Sequence, residues 1–82
     1  MDARRKKLIY RATYRGFKEA DILLGDFARA RMEHLSDGDV TEFETLLGAK
    51  DHDIYNWIAR RSEVPAEYDL PIIDQIRAYA GI

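Results

Sequence analysis

The sequence contains no cysteine and only two prolines, and its uninterrupted apolar runs, such as Ile22, Leu23 and Leu24, are no longer than three residues. Without cysteine the chain cannot form a disulfide, a thiolate zinc site, an iron–sulfur cluster or a cysteine nucleophile. A membrane span needs roughly 18 consecutive apolar residues, and no apolar stretch of the kind found in a cleaved signal follows the basic first residues. We therefore expect neither a membrane span nor a secretory signal.

The chain is also short, with 82 residues of which 46% are hydrophobic. A chain of this length buries about 60–65% of the surface that its unfolded form exposes, so most apolar residues are needed for one core. We expect a single helical domain over residues 1–82, with a basic first helix and frayed ends. A deep enclosed active site is not expected.

Charge is distributed unevenly along the chain, although the net charge is only −2. Residues 1–18 carry seven basic side chains and one acidic side chain, whereas the remainder carries six basic and fourteen acidic ones. This basic head on an acidic body is suited to a nucleic acid, an anionic lipid or an acidic protein surface.

The spacing of apolar residues predicts an all-α fold, a compact bundle of five helices. Helices are predicted over residues 3–13 and 17–33, from Ser36 to Gly48, from Asp51 onward, and from the start pattern Leu70-Pro71 onward. No segment alternates between apolar and polar residues as a strand does, so no sheet is expected. Phe27, Phe43, Leu47, Trp57 and Ile58 are predicted core residues.

Local signals set the expected helix ends. Ser36 is the predicted N-cap of the third helix, with Leu35 and Val40 at the staple positions around it. Asp51 is the predicted cap of the fourth helix. Arg60 and Arg61 are predicted in its last turn, where they would complement the helix dipole.

Residues for catalysis or metal binding are few. His34 and His52 have no second histidine at helical ligand spacing, so carboxylates would have to supply nearly all the ligands of a metal site. Ser36 and Ser62 belong to no recognisable Ser/His/acid arrangement. We expect no metal, no catalytic residue and no autonomous enzyme.

The junction of the first two helices is the best candidate for a binding site. In Arg15-Gly16-Phe17-Lys18-Glu19, Gly16 marks a helix break and Glu19 lies in the first turn of the next helix. One interpretation is structural, with Arg15 paired to Glu19 or to the acidic body. In the other, Gly16 permits close approach of a partner and Arg15 offers a bidentate fork to its carboxylate or phosphate.

At this junction the sequence resembles the succinate dehydrogenase assembly factor family, whose signature is Arg-Gly-x-x-Glu. The similarity continues through residues 20–28, Leu35-Ser36, Phe43-Glu44-x-Leu46-Leu47 and Asp51-x-Asp53-Ile54-x-x-Trp57-Ile58, and so spans about residues 8–58. Five blocks in order, at matching spacings, make the resemblance far more specific than the five-letter motif alone.

The resemblance implies a five-helix assembly chaperone. Such a protein binds the flavoprotein subunit of succinate dehydrogenase, and in bacteria also that of fumarate reductase, and promotes covalent attachment of FAD to a histidine of that subunit. FAD would be the client's cofactor and would not be held stably by this chain. A start at Met1 without an amphipathic presequence suits a bacterial cytoplasmic member, and we expect the free chain to be a monomer.

The resemblance also implies partner contacts at the junction. Arg15 would meet an acidic or phosphate group, Gly16 would allow close approach, and Glu19 would orient the turn or meet a cation. The full set of candidate partner-binding residues is Tyr10, Arg11, Tyr14, Arg15, Gly16, Phe17, Lys18, Glu19 and Asp21, with Asp21 carrying no assigned role.

Two departures from the family pattern bear on this surface. Tyr14 replaces a second basic residue that often precedes the motif arginine, and Phe17 replaces the usual methionine.

Other functions remain open. An antitoxin-like regulatory interaction module is the first alternative, and it predicts a different protein partner with no change in bound flavin. A nucleic-acid adaptor is the second, and its affinity would fall steeply with salt.

Overall fold

Five α-helices make up most of the computed structural model, which describes all residues from Met1 to Ile82. They are α1 (Ala3–Thr13), α2 (Lys18–Arg31), α3 (Asp37–Leu47), α4 (Asp51–Ile58) and α5 (Pro71–Ala80). Short 3₁₀ turns follow α2 at Met32–His34 and precede α5 at Ala66–Tyr68. The predicted five-helix, all-α architecture without a sheet is confirmed. None of the helices has the length and apolar character needed to cross a bilayer.

Side chains just before α1 and α3 start those helices. The Asp2 carboxylate accepts a hydrogen bond from the Arg5 backbone N–H at 2.8 Å, and this bond holds the pKa of Asp2 below its ordinary value. Ser36 Oγ accepts from the Asp39 backbone N–H at 3.0 Å, so Ser36 is the cap predicted for α3. Proline is tolerated at the first position of α5 because the N–H it lacks has no helical partner there.

The five helices surround one apolar core, with α1 packed extensively on α2. Phe27 and Phe43 meet at its centre with ring centroids 5.8 Å apart, and Trp57 stacks on Tyr68 at 5.0 Å. Burying a phenylalanine side chain stabilises the folded state by about 1.5–3 kcal/mol. The predicted core residues are buried as expected, namely Phe27, Phe43, Leu47, Trp57 and Ile58.

Several predicted helix ends are wrong. The α-helical part of α2 ends at Arg31, and the chain continues to His34 as a 3₁₀ turn. Lys50 is the N-cap of α4, and Asp51 is its first residue because its carboxylate is used elsewhere. Arg60 and Arg61 lie beyond α4, which ends at Ile58, and Arg60 adopts a positive φ of 62°.

Arginine side chains close the C-terminal ends of two helices. Arg5 donates to the carbonyls of Met32 and Leu35 at 2.6 and 2.8 Å, where the 3₁₀ turn after α2 ends. Arg77 donates to the carbonyls of Trp57 and Ile58 at 2.6 and 3.2 Å, at the end of α4. The last carbonyls of a helix lack intrahelical donors and carry partial negative charge, so a guanidinium stabilises them. We call such a contact an arginine clamp.

Candidate functional site

The chain reverses between α1 and α2 through residues 14–17, which we call the motif turn. Gly16 has φ +86°, in the left-handed region that L side chains rarely adopt. Apart from Gly16 and its two neighbours in the chain, no residue has an atom within 4 Å of the position that a Cβ at Gly16 would occupy. The turn therefore needs glycine for its backbone, and its outer side is open.

Arg15 forms a third arginine clamp. Its Nε–H donates to Asp51 Oδ1 at 2.7 Å, and its Nη2 donates to the carbonyls of Leu47 and Ala49 at 2.8 and 3.2 Å. The Arg15 side chain is only 11% exposed, and that of Asp51 is 21% exposed. Of the two predicted structural partners of Arg15, the structure selects the acidic body, through Asp51.

Asp21 holds the same turn from α2. Its Oδ1 accepts a hydrogen bond from the Arg15 backbone N–H at 2.5 Å, while its own N–H donates to the Phe17 carbonyl at 2.9 Å. The first bond spans the motif turn, and the second is the opening helical bond of α2, so together they tie the turn to the start of that helix. Asp21 thus has a structural role that its position in the sequence did not reveal.

Phe17 ends the motif turn and packs on α4. Its ring stacks on the exposed His52 at a centroid distance of 4.1 Å and meets Tyr55 edge-on at 5.5 Å. The Arg61 guanidinium lies over the Tyr55 ring, 5.6 Å from its centroid. Phe17 is half-buried, so part of the ring is available for contact with another molecule.

A shallow depression of about 300 Å³ opens beside the turn, lined by Tyr10, Arg11, Tyr14, Arg15 and Asp51. We call it the aromatic cleft. Tyr10 on α1 and Tyr14 just after its end are exposed, and their rings lie 4.7 Å apart. Side chains of this kind supply large contact area and a hydroxyl at low entropic cost, as protein-binding surfaces require.

The remaining predicted residues lie on the α2 side of the turn. Lys18 and Glu19 are exposed at the start of α2, and Glu19 makes no ion pair with Arg15. Glu19 instead borders a second shallow depression, the apolar patch, which it lines together with Ile22, Leu23, Tyr55, Ala59, Ala80 and Ile82. The predicted site residues therefore lie around one turn but face two neighbouring depressions.

Three residues of α4 take part in this region without having been predicted as site residues. Asp51 anchors Arg15, while His52 and Tyr55 support Phe17. The matching block that begins at Asp51 was a signal for the first of them, but an aspartate at a helix start is more simply explained as a cap.

The side chains of this region are suited to contact with another molecule. The region presents phenol rings, a half-buried phenylalanine and basic side chains on an open surface. No group of three or more His, Asp or Glu side chains in the chain converges on a common point as a metal site requires. Such an arrangement is suited to binding another protein.

Comparison with known proteins places the whole region within one family. The family model described as flavinator of succinate dehydrogenase matches residues 6–80. Succinate dehydrogenase assembly factor 2, mitochondrial, of Dictyostelium discoideum is 37% identical over 73 residues, covering 89% of this chain and 52% of that protein. FAD assembly factor SdhE of Acetobacter pasteurianus is 34% identical over 71 residues, covering 87% of this chain and 65% of that protein.

A third relative shows the difference in length more strongly. Succinate dehydrogenase assembly factor 2, mitochondrial, of Mycosarcoma maydis is 39% identical over 62 residues, which are 76% of this chain but 26% of that protein. The chain therefore spans between about a quarter and two thirds of the length of these relatives.

Proposed function

The chain belongs to the family of flavinators of succinate dehydrogenase, and on that membership we propose that it is an assembly factor for that enzyme. It binds the flavoprotein subunit and promotes covalent attachment of FAD to a histidine of that subunit. The observation that carries the proposal is the match over residues 6–80, which includes the motif turn, all of α2 and α1 from Lys6 onward. The names of the relatives from Dictyostelium and Acetobacter support it.

In this proposal the chain acts as a positioning partner and not as an enzyme. The flavin and the client supply the groups between which the bond forms, and FAD is not held stably by this chain. Binding favours the client conformation in which histidine and flavin are close, because a ligand shifts an equilibrium toward the state it binds more tightly.

The proposed contact surface is the outer side of the motif turn with the aromatic cleft and the start of α2. Gly16 provides the open approach, and Phe17 provides a partly exposed ring beside it. Arg15 and Asp21 belong to this surface through the turn they hold, since both are bonded within the chain. The side chains that reach outward are those of Tyr10, Arg11, Tyr14, Lys18 and Glu19.

Covalent flavin on the flavoprotein subunit tests the proposal directly. In-gel flavin fluorescence is compared in cells with the gene, without it, and without it but complemented by the natural chain or by Gly16→Arg. We expect fluorescence to be lost without the gene, restored by the natural chain and not restored by the variant. Equal fluorescence in all four strains would contradict the proposal and favour the antitoxin-like interaction module.

We also propose the finer points of this function. The Acetobacter relative, whose name carries no mitochondrial designation, supports a bacterial chain acting in the cytoplasm, which cell fractionation tests. The fumarate reductase flavoprotein is a second client, tested by the same fluorescence assay on that subunit. The free chain is a monomer, which sedimentation equilibrium tests.

A further inference from the structure

The guanidinium of Arg15 is turned into the chain, although the motif to which it belongs is proposed to meet a partner. Its Nε–H and Nη2 already donate to Asp51 and to the carbonyls of Leu47 and Ala49. At 11% exposure the side chain presents little surface to another protein. Freeing it for a partner would break a part-buried ion pair and leave acceptors unsatisfied, which is costly.

Two carboxylates from two helices hold the inner side of the motif turn. Asp51 on α4 holds the Arg15 side chain, and Asp21 on α2 holds the Arg15 backbone N–H. The next residue, Gly16, has its φ of +86° and an open outer side. The direction in which Gly16 and Phe17 face solvent is therefore set by contacts within the chain.

We propose that Asp51, which lies outside the Arg-Gly-x-x-Glu motif, is a positioning residue for partner recognition. Acting through Arg15, it holds the motif turn in the conformation that presents Gly16 and Phe17 to the client. Arg15 itself works within the chain and does not pair with the client. This inference rests on the proposed function and adds to it the residue that preorganises the binding surface.

The chain offers a matched control for this clamp. Arg5 contacts the end of the 3₁₀ turn after α2 and the first residue of α3, with Nη2 at 3.1 Å from Asp37 Oδ1. In the same way, Arg15 contacts the end of α3, at the Leu47 carbonyl, and the first residue of α4, Asp51. Substitutions of Arg5 and Asp37 therefore disturb a similar corner outside the motif turn, at which the Asp37 side chain is 98% exposed against 21% for Asp51.

The binding test is a double-mutant cycle with the purified flavoprotein subunit. Titration calorimetry is run on Asp51→Ala, Arg15→Ala and the double variant, at a temperature where circular dichroism shows each of them folded. We expect each single variant to bind about tenfold more weakly, and the double variant to bind no more weakly than the weaker single. Asp51→Asn retains an acceptor for Arg15 and is expected to recover part of the affinity, whereas Asp37→Ala is expected to bind like the natural chain.

A direct contact between Arg15 and the client predicts a different pattern. Asp51→Ala would then release the guanidinium, and binding would be unchanged or tighter. The loss of affinity would then be confined to the two variants that lack Arg15. Either result would overturn the proposal, and so would an equal loss in Asp37→Ala.

A measurement on the free chain separates this proposal from the function on which it rests. Hydrogen exchange by NMR is followed at the Arg15 amide, whose acceptor Asp21 is retained in Asp51→Ala. We expect protection of this amide to fall and the Gly16 amide resonance to shift in Asp51→Ala but not in Asp37→Ala. Unchanged signals would overturn the positioning role, whereas a natural chain that binds no flavoprotein subunit would refute only the proposed function.

Discussion

Gly16 combines two properties that a single substitution does not separate. Its positive φ is a requirement of the backbone, and its open outer side is available to a partner. Loss of function in Gly16→Arg alone would therefore be ambiguous between strain and steric block.

Comparing Gly16→Ala with Gly16→Arg resolves this ambiguity. Both variants place a Cβ in the left-handed region, so we expect each to lose about 1–2 kcal/mol of unfolding free energy. Apart from the two neighbouring residues, no atom lies within 4 Å of the Cβ position, so neither variant places its Cβ against another part of the chain. We expect denaturant titrations to show equal stabilities, and binding to the flavoprotein subunit to be abolished only in Gly16→Arg. Equal binding by the two variants would show that Gly16 serves the backbone alone.

At this same scale, the sequence predicted the site in part. Residues 10–21 are contiguous, so their placement around one turn follows from the helix break at Gly16. The internal pairing of Arg15 does not follow, because Asp51 is 36 residues away and is brought near by the packing of α4. The role of Asp21 does not follow from the sequence either, because its partner is a backbone N–H, for which no side chain of opposite charge gives a signal.

At the scale of the elements, the sequence predicts best those helix ends that are set by residues adjacent in the sequence. α1 has the predicted bounds, and α3 begins after the predicted cap Ser36. The start of α4 and the residues after its end were predicted wrongly, because the Asp51 carboxylate binds Arg15 and the chain turns at Arg60. The clamps of Arg5, Arg15 and Arg77 join residues 19–36 positions apart, which local patterns do not register.

The cap of α3 gives a prediction at the scale of the element. Ser36→Ala removes the hydroxyl that accepts from the Asp39 N–H and is expected to cost about 1 kcal/mol of unfolding free energy. Ser62→Ala, in the exposed loop after α4, is the matched control and is expected to change it by less than about 0.5 kcal/mol. Urea titration of the two variants measures both values. A loss in Ser62→Ala as large as that in Ser36→Ala would contradict the capping role.

At the scale of the whole molecule, the basic head has fewer basic side chains outside ion pairs than its sequence indicates. Arg4 is paired with Glu44 at 2.9 Å, and Arg5 is 13% exposed in its clamp. Arg15 is likewise used within the chain. The basic side chains of the head outside these ion pairs are those of Lys6, Lys7, Arg11 and Lys18, and Arg11 lines the aromatic cleft.

Under the proposed function, these side chains should govern how fast the flavoprotein subunit is captured. Exposed charges steer association and are screened by salt, whereas the aromatic contacts are not. We expect the association rate constant with the flavoprotein subunit to fall about tenfold between about 50 mM and about 500 mM salt, with little change in dissociation. Lys7→Gln with Lys18→Gln should flatten this dependence in surface plasmon resonance. A salt-independent association rate in the natural chain would rule out steering by the head.

The single tryptophan of the chain, Trp57, lies buried in α4 with its ring stacked on Tyr68. An indole in such surroundings emits at shorter wavelength than one in water, so the protein contains its own optical reporter of unfolding. The ring is separate from the motif turn and from the aromatic cleft, which Tyr10, Arg11 and Tyr14 line. Substitutions in the binding surface can therefore be checked for intact folding by intrinsic fluorescence, without a label and without altering the chromophore that reports it.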